Sequence, residues 1–292
     1  MDRAFYATLP ARGVLEVAGA DRIAFLQGLV SNDVAKADPA HAVFAALLTA
    51  QGKYLHDFFI LALGETLYLE CEAARLADLK KRLSMYKLRA KVTLTEASER
   101  FTVAAAWGDG ALAKLGLKVS AGTTISFAGG LAYVDPRFAE MGARFLLPRG
   151  SENKIEAIGF SRTDAAAYDR HRLALGVPDG SRDLVPEKSI LLENGFEELN
   201  GVDFGKGCYM GQELTARTKY RALIRKRLVP VSVEGPLPAP GTLVMAGDQE
   251  AGELRSGQGD HALALLKLDT LAGPLIAGTA KLIAQKPGWL KA

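Results

Sequence analysis

The chain has 292 residues, 49% of them hydrophobic and 24% charged, and its 36 Lys and Arg against 33 Asp and Glu give a formal net charge of +3. That length exceeds one ordinary hydrophobic core, so two or three packed units are expected, and the composition excludes a disordered or collagen-like chain. The apolar runs Val43 to Leu48 and Phe58 to Leu63 are far shorter than the ~20 residues of a membrane-spanning helix, and so small a net charge does not by itself imply a nucleic-acid partner.

The opening stretch MDRAFYATLP sets acid beside base and lacks the apolar run of a secretory signal. The cytoplasm is therefore the expected compartment, with no membrane partner. Gly13 to Ala18 alternates as a strand does, and Asp21 is placed to cap an apolar-periodic helix over Arg22 to Leu29. Val43 to Leu48, Tyr54 to Leu63 and Thr66 to Glu70 read as successive strands punctuated by Gly52 and Gly64. Leu67, Leu69 and Cys71 alternate towards a core, and Ala73 to Leu83 reads as a helix with a basic outer face.

A second round begins at Lys91. Strands are predicted near Val92 to Thr95, Phe101 to Ala106, Leu131 to Val134 and Ala143 to Leu147, with a short helix at Ala111 to Leu115. Thr163 is placed to cap a helix over Asp164 to Leu175, which Gly176 and Pro178 end. Helices mixed with antiparallel strands give an α+β body over residues 1–227 rather than a doubly wound parallel sheet. Beyond Arg227 the chain turns to short strands broken by proline and glycine, predicting a small C-terminal β-barrel over residues 228–292.

The segment GKGCYMGQELTART, residues 205–218, concentrates the chemistry. Gly205, Gly207 and Gly211 free the backbone for a loop that presents a thiol. Gln212 to Thr218 is helix-forming, so a helix amino terminus and Lys206 would both favour the thiolate of Cys208. The alternative reading makes Cys208 a small buried apolar residue. Two cysteines, Cys71 and Cys208, are neither a disulfide framework nor a metal-ligand pair. They cannot furnish the four thiolates of a typical iron–sulfur cluster, so any link to a cluster is indirect or shared, and no tightly held metal is expected. Basic residues cluster over Lys80 to Lys91 and over Arg217 to Arg227.

KGCYMGQE resembles the signature K-G-C-[FY]-x-G-Q-E of the YgfZ family, folate-binding proteins similar in fold to the T-protein of the glycine cleavage system. FLQGLVSNDV, LLTAQGKYLHDFFI, YKLRAKV, RLALGVPDG and NGVDFGKGCYMGQELTART follow in the family's order, and ELTART with IRKRL is similar to the mitochondrial branch and its bacterial relatives, implicated in maturing 4Fe–4S proteins. The resemblance implies two ferredoxin-like halves with antiparallel sheets around a central cavity, the β-barrel at the side, and bound tetrahydrofolate or a 5-formyl or methylene derivative. It also implies iron–sulfur client or assembly proteins as partners. Cys208 and Lys206 would be the reactive pair. Asn32, Asp33 and Asp57 would face the pterin and Arg172 the glutamate tail, with His56, Glu187 and Tyr209 also in the ligand site. Each of these has a capping, surface or structural alternative.

Where the T-protein resembles G-G-x-x-D-D, this chain has Gly52, Lys53, Tyr54, Leu55, His56 and Asp57. His56 replaces one acid, which argues against aminomethyl transfer, although a histidine there suits a proton carrier near neutral pH. Glu187 and Glu193 are cavity or cap carboxylates, and Gln212 and Glu213 brace the loop. The leading expectation is a folate-binding accessory protein for assembly or repair of iron–sulfur clusters. A folate-dependent one-carbon transferase is the second reading. RNA binding through Arg217 to Arg227 and Tyr220 is the third, with Ala222, Leu223 and Ile224 read as a strand or linker into the barrel.

Overall fold

The computed structural model describes residues 3–221 and 224–290. It contains two compact units, one of Met1–Leu48, Leu55–Tyr168 and Leu199–Met210, the other of Thr49–Tyr54, Asp169–Glu198 and Gly211–Ala292. Residues 169–198 fall in the same unit as the barrel strands. No helix among the described residues is long and apolar enough to cross a membrane.

In the first unit the elements run β1 (Ala4–Thr8), β2 (Arg12–Ala18), α1 (Arg22–Gln27), β3 (Val43–Leu48), β4 (Tyr54–Leu63), β5 (Thr66–Glu72) and α2 (Leu76–Tyr86). They continue as β6 (Thr93–Glu96), β7 (Phe101–Gly108), α3 (Ala111–Lys114), β8 (Thr124–Phe127), β9 (Gly130–Val134), β10 (Ala143–Pro148), α4 (Asn153–Ala157) and β11 (Ser161–Arg162). One sheet has the order β3-β4-β5-β2-β6 and the other β11-β1-β7-β10-β9-β8. β11 pairs with β1 in parallel; β2 with β5 and β7 with β10 are antiparallel.

Period-two alternation decides what each face buries. Phe58 and Ile60 of β4 and Leu67, Leu69 and Cys71 of β5 share a core with Phe25 and Leu26 of α1 and Leu79 and Leu83 of α2. In the other sheet Ala132, Val134, Phe145 and Leu147 pack with Ala111 of α3 and Ile155 of α4. The two remaining faces meet, with Tyr68 and Phe101 rings 5.1 Å apart and Phe59 and Tyr133 rings 6.2 Å apart. The unit is thus layered helix, sheet, sheet, helix.

Between the sheets lies a buried charge cluster. Glu70 of β5 is fully buried, and its carboxylate accepts from Arg12 Nε at 2.8 Å, from the Arg144 guanidinium and from the Tyr133 hydroxyl. Arg137 closes on Asp135 through Nη2 at 2.7 Å, and Arg144 Nη1 reaches the Tyr168 hydroxyl at 2.8 Å. The Phe59 ring is covered by Arg144 at 4.4 Å and Arg137 at 5.0 Å. Burial alone would raise the Glu70 pKa, but Arg144 and then Arg12 overcome it and hold the carboxyl at about 2.

The second unit takes most of α5 (Ala165–Ala174), α6 (Gln212–Tyr220) and six strands, β12 (Lys226–Glu234), β13 (Leu243–Ala246), β14 (Gln249–Gln258), β15 (His261–Lys267), β16 (Leu275–Ala277) and β17 (Ala280–Ala284). These strands close a barrel in the order β12-β15-β14-β13-β16-β17. Val229, Val231 and Val233 point inward at every second position, against Leu254, Leu266 and Leu282. Gly52 touches α6 so closely that a Cβ there would lie 2.6 Å from the Gly211 carbonyl oxygen and from Leu214 Cβ, and its φ of +79° also suits glycine.

Three expectations change here. Asp21 makes no capping bond and spends its carboxylate on the Lys91 N–H at 2.7 Å, while α1 stops at Gln27. Asp164, not Thr163, caps α5, accepting from Ala167 N–H at 2.8 Å. Arg172 is 1% exposed, donating to Asp169 at 2.6 Å, Asp183 at 2.7 Å and Ser256 Oγ at 2.7 Å. That guanidinium clamps α5 to the barrel strand β14, in place of the folate-tail role expected of it. Ala222 and Leu223 lie outside the described residues.

His56 is also structural. Only 3% exposed on β4, it bonds through Nε2 to Asp78 of α2 at 2.8 Å. Burial, and next the Arg75 charge, push its pKa from 6.5 down to about 4, so the ring is neutral near pH 7 and keeps one N–H for Asp78. Between those values the unfolded chain binds the extra proton, so stability falls as pH drops through the window from 6.5 towards 4. Urea unfolding of His56→Gln should show a shallower loss over that window, and an unchanged pH profile would remove His56 as its cause.

Glu70→Gln takes from buried Arg144 its nearest counter-charge, leaving it only Asp135 at 3.8 Å, which Arg137 shares, and should cost about 3–5 kcal/mol. Urea denaturation checks this, and a loss below about 1 kcal/mol would show that the cluster does not hold the sheets together.

Candidate functional site

The candidate site is a loop anchored at both ends to the segment that follows α1. Asp203 N–H donates to the Ser31 carbonyl at 3.0 Å, and the Ser31 hydroxyl to the Gly201 carbonyl at 2.6 Å. Met210 N–H donates to the Gly28 carbonyl at 3.1 Å. Between these anchors Gly207 takes φ +92° with no atom close to its absent side chain, and Cys208 is exposed. Two anchors and one permissive glycine therefore hold out a thiol. α6 begins at Gln212 behind Gly211, four residues beyond Cys208 in the chain.

Lys206 has partners in the backbone. Its ammonium donates to the carbonyls of Gln27 at 2.5 Å and Val30 at 2.7 Å, and stands 4.9 Å from the centre of the Tyr209 ring. The carbonyls left over at the end of α1 take these protons, as at any helix carboxyl terminus. Burial brings the Lys206 pKa down to about 8, opposed by the charges of Asp33 and Asp203. Lys206 is thus the pin of the loop, with Tyr209, itself buried, as its seat.

Beside the loop, on the β3 side, the first unit holds a cavity of about 390 Å³ whose lining includes Asn32, Lys36, Phe44, Ala121, Asn200, Asp203 and Phe204. Asn32 donates both amide protons, to the Phe44 and Asn200 carbonyls at 2.7 Å each, so it shapes the wall. Asp33 turns away, accepting from Gln27 Nε2 at 2.9 Å and Ala35 N–H at 3.1 Å. Asp203 accepts from Lys36 Nζ at 2.6 Å and Gly205 N–H at 2.7 Å. The hydrogen bond from Lys36 leads in holding the Asp203 carboxyl below its ordinary pKa.

The structure gathers Asn32, Asp33, Lys206, Cys208 and Tyr209 in one neighbourhood. Asp57 is buried on β4 with His56. Arg172 and Glu187 belong to the other unit, where Glu187 is exposed at φ +64° and donates its N–H to the Tyr54 carbonyl at 2.7 Å. Glu193 lies there too, its pKa raised by burial against Lys226 and Lys53. Of the basic run after Arg217, Lys219 pairs with Glu197 at 2.6 Å and Arg227 with Glu198 at 2.7 Å. Sequence reasoning missed Lys36, Asn200 and Asp203. Asp203 precedes two glycines of the motif, G-V-D-F-G-K-G, and that spacing was the available signal. Among the described residues no three His, Cys, Asp or Glu side chains group to hold a metal ion.

A family model of the CAF17 C-terminal β-barrel domain matches residues 225–292. Iron-sulfur cluster assembly factor IBA57, mitochondrial, of Mus musculus is 38% identical over 94% of this chain and 80% of its own length. The protein of the same name from Homo sapiens is 36% identical over 96% of this chain and 84% of its own length. Among solved structures, glycine cleavage system aminomethyltransferase T from Bartonella henselae has a TM-score of 0.78 at 14% identity, over 99% of this chain and 86% of that one. That likeness shows the fold, as expected from the sequence.

The cytoplasmic assignment is corrected by these relatives, which are named mitochondrial. It rested on the lack of an apolar leader, whereas mitochondrial leaders are amphipathic and arginine-rich and leave no such run to find. Identity of 36–38% to two mammalian proteins over at least 94% of its length shows that the chain belongs to the family of iron–sulfur cluster assembly factor IBA57.

Proposed function

We propose that this protein takes part in assembling iron–sulfur clusters, with Cys208 as the thiol it offers to a cluster or to a client protein. The carrying observation is an exposed cysteine on a pinned loop in a chain whose relatives are named as assembly factors. Cys71 is 1% exposed, and burial pushes its thiol up to about 12. One available thiol cannot complete a typical cluster of four thiolate ligands. The cluster is therefore cargo, and its other ligands come from a partner.

Native protein treated with iodoacetamide should label at Cys208 and leave Cys71 unlabelled until denaturant is added, as mass spectrometry can read. Cys208→Ser should fold normally and fail to restore iron–sulfur enzyme activity in cells lacking the protein. Full restoration by a stable Cys208→Ser protein would sink the role given to this thiol.

A reduced folate is the small molecule assigned to the cavity beside β3. Its volume of about 390 Å³ falls within the ~300–1,000 Å³ of small-molecule sites, and Phe204, half-buried in its lining, offers aromatic surface to a flat ring. The Asp203 carboxylate suits the donor-rich edge of a pterin, and the Lys36 ammonium an anionic tail. Calorimetry with 5-formyl-tetrahydrofolate should show binding that Ala121→Phe, filling the cavity, abolishes and Asp203→Asn weakens about tenfold, roughly 1.4 kcal/mol. Equal affinity in Ala121→Phe and the parent would exclude this cavity.

A further inference from the structure

A second groove lies beside α1 and the residues that follow it. Asp21, Ala24 and Phe25 line one side and Tyr86, Leu88 and Arg89 the other, with Gly28 between them, around a volume of about 450 Å³. Two large apolar side chains of its lining stand out in water, Leu88 at 90% exposure and Tyr86 at 43%. Leu88 sits at φ +40°, in the left-handed region that bulky residues avoid. The segment is nonetheless fixed, because Ala90 N–H donates to the Lys87 carbonyl at 2.7 Å and Lys91 N–H to the Asp21 carboxylate at 2.7 Å. The fold thus spends backbone strain on holding a leucine in water, which an ordinary solvated surface does not require.

The charge lining this groove is mainly basic: Lys87 and Arg89 stand there with a single acid, Asp21, whose carboxylate is already taken up by the Lys91 N–H at 2.7 Å. Lys87 and Arg89 have no ion-pair partner among the described residues, so the rim they form is left basic. The occupant that matches is an acidic segment of a partner protein carrying apolar anchors, with leucine-like side chains entering between Phe25 and Leu88 while carboxylates meet the rim. A lipid surface is flat, and fits two facing walls less well. The floor is Gly28, where an added Cβ would meet nothing within 4 Å and where φ is −79°, a conformation open to any residue.

We infer that this groove is the docking site for an acidic, apolar-anchored segment of a partner protein. Its position gives the docking a purpose. The Gly28 carbonyl that underlies the groove also receives Met210 N–H, and the flanking Gln27 and Val30 carbonyls receive Lys206, the residues on either side of Cys208 in the loop. A segment seated there is held one backbone layer from the loop that carries the thiol. This second step rests on the proposed role of Cys208; the docking itself does not.

The test uses full-length protein and a fluorescein-labelled helical peptide of alternating Glu and Leu turns, followed by anisotropy. Peptides with Leu replaced by Ala, or Glu by Lys, and vesicles of phosphatidylglycerol serve as further probes. Expected is binding of the Glu–Leu peptide that weakens about tenfold on Gly28→Leu, which fills the floor, and about tenfold on Lys87→Glu with Arg89→Glu, and that falls steeply with salt. Equal binding by the Glu–Ala peptide, indifference to both variants, or tighter binding of the variants' parent to vesicles than to peptide would overturn the assignment. In cells, Gly28→Leu with its Cys208 still alkylated at the parent rate should lose support of iron–sulfur enzymes. Full support by that variant, where Cys208→Ser fails, would overturn the groove and leave the thiol's role standing; the reverse pattern would overturn the thiol alone.

Discussion

Glu70 is the side chain on which the first unit turns. A carboxylate with no solvent, between two sheets, is tolerated only if its charge is answered, and Arg12, Arg144 and Tyr133 answer it from both layers. Hydrophobic faces alone would let the sheets slide, since apolar contact has no direction. A carboxylate with fixed donors does not. The same lattice of arginines covers Phe59, and through Arg137 over Phe44 at 5.7 Å it reaches the wall of the cavity beside β3. The register of the two sheets and the shape of the cavity are therefore set by one group of charges.

The loop of Cys208 obeys a similar logic at smaller scale. Carbonyls left without partners at the end of α1 need donors, and the Lys206 ammonium and Met210 N–H supply them. Satisfying those carbonyls fixes both flanks of the thiol while Cys208 itself makes no demand on the core. An exposed cysteine is then positioned without being buried, a combination that a free surface loop would not give.

Most of the element order was legible in the sequence, because alternation in β3, β4 and β5 and the glycine-rich connections of the barrel are local signals. The misassignments share a cause: a polar side chain has several possible uses and only tertiary contacts choose among them. Asp21 and Thr163 looked like caps and Arg172 like a ligand residue. Lys206 was matched to the nearest cysteine when its partners were carbonyls 179 and 176 residues away in the chain. Glu70 could have been found, as an acid at an inner position of the apolar strand T-L-Y-L-E-C-E. The motif loop was found because its glycines, lysine and cysteine are contiguous, whereas the cavity draws on Lys36, Asn200 and Asp203 from distant parts of the chain.

The Arg172 clamp has a consequence for the order in which the protein is made. Asp169, Arg172 and Asp183 leave the ribosome well before Ser256, whose hydroxyl and N–H complete the network on Asp183 at 2.6 Å and 3.1 Å. Until β14 is synthesised, a guanidinium destined for a fully dry site must stay hydrated, so the part of α5 beyond Tyr168 lacks its last partner. The first unit needs nothing beyond Met210 and is free to fold on the nascent chain, as amino-terminal units generally do. The segment 169–198 waits, and a chaperone meeting this protein during translation would find it there.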